Sequence, residues 1–97
     1  MKNSYKMKKI KIVIRVDGNS EIGLGHIYRG IALAEMLNSD FSIEFIIKPN
    51  TTAFPITSTK FNHRVLPAAI TLFDEPAWFN KNYHKNTNIF IQFKNID

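Results

Sequence analysis

An α/β fold with a mostly parallel sheet of three or four strands is what this 97-residue sequence predicts, and three observations predict it. A β-branched run with period two spans Ile10 to Val16. A glycine-rich turn and an amphipathic helical stretch follow it directly, up to Leu37. A second apolar run, Ser42 to Ile47, then comes after only a few polar residues. Strand, helix and strand with short connections make a βαβ unit, whose crossover requires parallel strands.

The first strand rests on Ile10, Ile12, Ile14 and Val16, which alternate with Lys11, Val13 and Arg15. Asp17-Gly18-Asn19-Ser20 is turn chemistry, because Asp and Asn bond nearby backbone and Gly accepts positive φ. Gly23-Leu24-Gly25 opens the helix. Ile27, Ile31 and Ala34 form one row along it, and Leu33 with Leu37 forms a second, so a broad apolar stripe can lie on the sheet. Asn38-Ser39-Asp40 ends it, and Pro49 with Asn50-Thr51-Thr52 ends the second strand. Beyond that the pattern weakens. Arg64-Val65-Leu66 reads as a short third strand, and Ile89 to Phe93 as another. Glu75 to His84 reads as a helix with Pro76 in its first turn, where proline is tolerated.

The chain reads as a single domain over residues 1–97: a basic tail at 1–9, a βαβ core at 10–48, and a weaker βαβ-like region at 49–97. Without cysteine, disulfides, thiolate metal sites and thiol nucleophiles are excluded, and a cytoplasmic location fits. The apolar run after the basic tail is broken by Lys11 and Arg15, which argues against a signal peptide or membrane span. The net charge of +5 invites a nucleic-acid partner. Yet Lys2, Lys6, Lys8, Lys9, Lys11 and Arg15 cluster near the start, and no basic stripe with interleaved aromatics follows. They read as a solvated tail leading into a strand, with no nucleic acid bound.

One turn concentrates the chemistry. A Gly-x-Gly between a strand and a helix lets backbone N–H groups approach an anion, and the helix dipole favours negative charge there. Tyr28 stands where a dinucleotide fingerprint needs its third glycine, so no nicotinamide cofactor is assigned, nor any other cofactor or metal. His26 follows the turn directly. An imidazole at that place can take a proton from water or a hydroxyl, or it can merely cap or pack. Arg29 lies one turn on along the same side, suited to a phosphate or carboxylate, or simply solvated. Asp17 ends the first strand, where ligands of open α/β sheets collect, and can equally be an Asx-turn residue. His63 and His84 lie in polar, irregular surroundings, and nothing marks them as functional.

The run Ile14-Arg15-Val16-Asp17-Gly18-Asn19-Ser20-Glu21-Ile22-Gly23-Leu24-Gly25-His26-Ile27-Tyr28-Arg29 resembles the N-terminus of a nucleotide-sugar hydrolase family. That family is the UDP-2,4-diacetamido-2,4,6-trideoxy-β-L-altropyranose hydrolases of pseudaminic acid biosynthesis. The likeness rests on Arg-x-Asp, then Ile-Gly-x-Gly-His, then Arg three residues after the His; it is clear over residues 10–37 and thin beyond about 48. It implies a three-layer, Rossmann-like half of a GT-B-type fold, with the sugar nucleotide held between two such halves. It further implies that His26 activates the water that attacks the anomeric carbon, releasing UDP. Asp17, Gly23, Leu24, Gly25 and Arg29 then match positions lining the same cleft.

Two departures from that pattern are visible. The sequence offers no counterpart of the uridine-binding half, so it reads as an N-terminal fragment of a truncated or split frame, with a separately encoded second half as partner. Gln92-Phe93 also stands where relatives carry an acidic-then-aromatic pair. The expectation is therefore a chain that is inactive alone. A non-catalytic, anion-binding remnant and a glycosyltransferase-like nucleotide-sugar protein are the alternatives, since a shared fold does not fix chemistry.

Overall fold

Ile12, Val13 and Ile14 in succession give the first strand two buried faces instead of one, which suits an interior strand. In the computed structural model, which describes residues 10–83 and 89–93, that strand is indeed interior. The elements run β1 (Ile10–Arg15), α1 (Gly25–Leu37), β2 (Phe41–Ile47), α2 (Phe54–Thr57) and β3 (Asn62–Val65). A 3-10 turn (Leu72–Asp74), α3 (Glu75–Tyr83) and β4 (Ile89–Gln92) complete them. The basic stretch at 1–9 and His84 lie outside the described residues.

The four strands form one sheet in the order β3-β2-β1-β4, and every pairing is parallel. Ile14 of β1 lies opposite Phe45 of β2 on one side and Ile91 of β4 on the other. Side-chain alternation then builds two cores. Ile12, Ile14, Val16, Ile43, Phe45 and Ile47 point to one face and pack with Ile27 and Ala34 of α1 and Ile56 of α2. Val13 and Ile46 point to the other face and pack with Tyr83, Trp78 and Phe79 of α3. Helices thus cover both faces in a three-layer, Rossmann-like α/β arrangement. The reversal follows from chain direction. The steps β1 to β2 to β3 move one way across the sheet, and the return to β4 moves the other way. Crossovers of one hand put the connecting helices on opposite faces.

The helix α1 matches the apolar stripe of its sequence, with Ile27 and Ala34 buried and Leu33 and Leu37 partly so. Gly30, midway along, lets the helix sit close to the sheet. A Cβ there would lie 3.0 Å from Val16 Cγ1 and 3.3 Å from Phe45 Cε1. The short α2, with Pro55 in its first turn, is an element the sequence pattern does not mark. Arg15 departs most from expectation. It is 3% exposed, not part of a solvated basic face, because two carboxylates wait for it inside the fold.

Two outcomes follow from this packing. Gly30→Val should overpack the contact with Val16 and Phe45 and lower unfolding free energy by about 1–3 kcal/mol; an unchanged urea midpoint would contradict the close approach. The second concerns Tyr83, whose hydroxyl is buried with no hydrogen-bond partner among the described residues. Burial first, and then the nearby Glu44 carboxylate, push its phenol up, while Arg64 pulls the other way. The folded phenol keeps its proton where the unfolded one loses it, so this contribution is complete at neutral pH and fades as pH rises past about 10. Tyr83→Phe should flatten that alkaline loss and stay within about 1 kcal/mol of wild type at neutral pH. Urea unfolding at both pH values measures it.

Candidate functional site

Strand β1 ends with Arg15 paired against Gln92 of β4, and the helices that adjoin these two strands in sequence lie on opposite faces of the sheet. β1 runs through the glycine-rich turn into α1 on one face; β4 is the strand that follows α3 on the other. In open parallel sheets such a reversal leaves a crevice beyond the strand ends, where ligands bind. A cavity of about 1050 Å³ opens there.

One wall is the turn and the first turns of α1. Asn19 shapes it: its Oδ1 accepts from Glu21 N at 2.9 Å and Ile22 N at 3.0 Å, and its backbone pairs with Gly23. Gly23 takes φ +93°, a conformation that disfavours a side chain. Gly18 is fixed for another reason, since a Cβ there would lie 2.7 Å from Gly23 O. The helix opens at Leu24 with no side-chain cap and no acidic residue in its first turn. Its leading N–H groups therefore lack intrahelical acceptors, at the positive end of the dipole. Arg29 lies back along this end, with its guanidinium over Gly25: a Cβ at Gly25 would stand 3.2 Å from Arg29 Nη1. His26 is half-buried on the same wall, its ring centroid 6.2 Å from that of Phe93.

The floor is built on Arg15. Its Nε and Nη2 donate to Glu75 Oε1 and Oε2, each at 2.9 Å, in a two-pronged pair. Its Nη1 donates to Asp17 Oδ1 at 2.6 Å and to Val16 O at 3.2 Å. Burial alone would lower the Arg15 pKa, but the hydrogen bonds to Glu75 and Asp17 and their charges outweigh it, so the net shift is upward. The guanidinium is charged at every working pH. Asp17 Oδ1 also accepts from Lys48 N at 3.0 Å and Thr51 Oγ1 at 3.1 Å. Asp17 thus ties the end of β1 to the loop after β2, and the Asx turn belongs to Asn19.

Asp17, Gly23, Gly25, His26 and Arg29 all line the cavity, so residues named from the sequence meet around one space. Leu24 packs its side chain against the apolar core and contributes backbone only, its carbonyl accepting from Tyr28 N at 3.1 Å. His63 lies on β3, away from the cavity-lining residues. Sequence reasoning missed Glu75, Lys48 and the cavity-lining rings of Phe79, Phe90 and Phe93. Glu75 is sixty positions from its partner, and no local pattern carries that distance. Lys48 carried a usable signal, since it directly follows a strand that the βαβ pattern already marked.

The fold and the cavity define a class: a parallel, Rossmann-like α/β protein with a ligand-sized cleft at its topological switch point. No protein-family model, curated protein or solved structure matches the chain. Among the described residues no helix is long and apolar enough to cross a membrane.

The floor generates a double-variant test. Glu75→Ala leaves a buried guanidinium short of a partner and should cost about 3–5 kcal/mol of stability. Arg15→Met in that background should add little, giving strong coupling in a double-mutant cycle. Additive losses in urea unfolding would refute the pairing.

Proposed function

We propose that this cleft belongs to a nucleotide-sugar hydrolase that frees the sugar from UDP. The supporting observation is the meeting of His26, Arg29 and the Gly23–Gly25 turn around one cavity at the uncapped start of α1. The resemblance of residues 14–29 to UDP-2,4-diacetamido-2,4,6-trideoxy-β-L-altropyranose hydrolases supplies the substrate class. In this reading His26 takes a proton from water, and the water oxygen attacks the anomeric carbon. The C–O bond breaks, and its electron pair leaves with UDP, whose gathering charge faces Arg29 and the leading N–H groups of α1. The attacking oxygen becomes the hydroxyl of the free sugar. Asp17 serves by holding the strand end and the Lys48 loop in register, through the hydrogen bonds it accepts. Uridine is held by a second half, on a longer chain or a separate one, in the cytoplasm.

A second reading has an observation of its own. Arg29, Lys48 and the helix end can hold an anion with no chemistry from His26, whose ring also packs near Phe93. The cleft is then an anion-binding module.

With one wall of the site, the 97 residues should bind UDP only in the millimolar range, about −4 kcal/mol, by calorimetry. Steady UDP release should require the uridine-binding half. A micromolar constant, or turnover by the chain alone, would show that these residues hold a complete site. With that half added, His26→Ala should slow UDP release by roughly 10²–10⁴-fold, the range of general-base catalysis. Unchanged release would leave the anion-binding reading in its place.

A further inference from the structure

The charges around the cleft are unevenly matched. Its titratable lining consists of Arg15, Asp17, His26, Arg29, Lys48 and Glu75. Both carboxylates are turned to Arg15, at 2.6 and 2.9 Å. Arg29 and Lys48 face the same space, and among the described residues neither has a carboxylate within ion-pair distance. The floor is therefore one negative charge in excess, and the rim carries two cations without counter-charge. They come from different elements. Arg29 stands on α1 with its guanidinium over Gly25, and Lys48 follows the end of β2, its backbone N–H donating to Asp17 Oδ1 and its side chain lining the cavity. Two cations carried on separate elements that line one cavity suit a ligand with two linked anionic groups better than a single anion. A planar guanidinium and a compact ammonium both favour phosphate oxygens.

We infer that Arg29 and Lys48 are two cationic seats for a linked diphosphate, Arg29 with the start of α1 taking one phosphoryl group and Lys48 the other. This rests on the nucleotide-sugar reading and names the part of the ligand that selects the cleft. A single phosphate fills the Arg29 seat and gains little from Lys48.

The test is an amide-resolved NMR titration of the 97-residue chain with inorganic pyrophosphate and, separately, inorganic phosphate, at fixed ionic strength. Pyrophosphate should shift the amides of Gly23 to Arg29 together with Lys48. Lys48→Ala should weaken pyrophosphate by about tenfold, the effect of one charge-assisted hydrogen bond, and leave phosphate within about twofold. Arg29→Ala should weaken both. Lys60→Ala, at an exposed lysine away from the cleft, should weaken neither. If Lys48→Ala weakens both anions equally, or neither, while pyrophosphate still shifts Gly23 to Arg29, the second seat is refuted and the nucleotide-sugar reading stands. If pyrophosphate shifts no amide around the cleft, both fall together.

Discussion

Arg15 carries a full charge to the end of an apolar central strand, and most of the site depends on how that charge is met. A lone guanidinium there would be costly to desolvate. Glu75 meets it from the first residue of α3 and Asp17 from the second residue past β1. Arg15 therefore ties the start of α3 to the end of β1, and its partner Asp17 ties the loop after β2 to the same place. The pair is weak evidence of stability, since an apolar replacement of both partners can be as stable. Its contribution is to position. It holds α3 over the face opposite α1, and the space left between the strand ends is the cleft.

The second constraint is closeness. Gly18 passes under Gly23 O, and Gly30 brings α1 down onto Val16 and Phe45. Only hydrogen at these two positions allows the turn and helix to approach the sheet this nearly. The start of α1 consequently sits at the rim of the cleft and not above it. On the α3 side of the cleft Phe79 and Phe90 stand with ring centroids 4.2 Å apart, while Phe93 packs with the α1-face core beside His26.

The apolar periods of the sequence were enough for the first strand and the helix that follows it. Ile12 and Ile14 against Val13 announced a strand, and the Ile27, Ile31 and Ala34 row a helix; both lie within a residue of where they were expected. The later elements were legible but blurred. Leu66, read as strand, only continues the hydrogen bonding of β3 by donating to Ile47 O at 2.8 Å. Such edges are set by pairing with a neighbour, which a single-sequence pattern does not contain. The glycine turn, His26 and Arg29 were legible because a strand, two glycines and a helix start are contiguous.

By itself, then, the sequence determined the parallel βαβ unit, its longest helix and the residues at that helix's start, since each depends on interactions within a few positions along the chain. Tertiary structure alone decided what those residues face. Glu75 beneath Arg15, the Lys48 backbone held on Asp17 and Phe93 beside His26 are brought together by strand order, through contacts between residues tens of positions apart. Arg15 shows the difference most plainly. Its neighbours in sequence made it look like the end of a basic tail, and its neighbours in space make it the buried centre of the site, because a charge is stable inside a fold only where distant carboxylates converge on it.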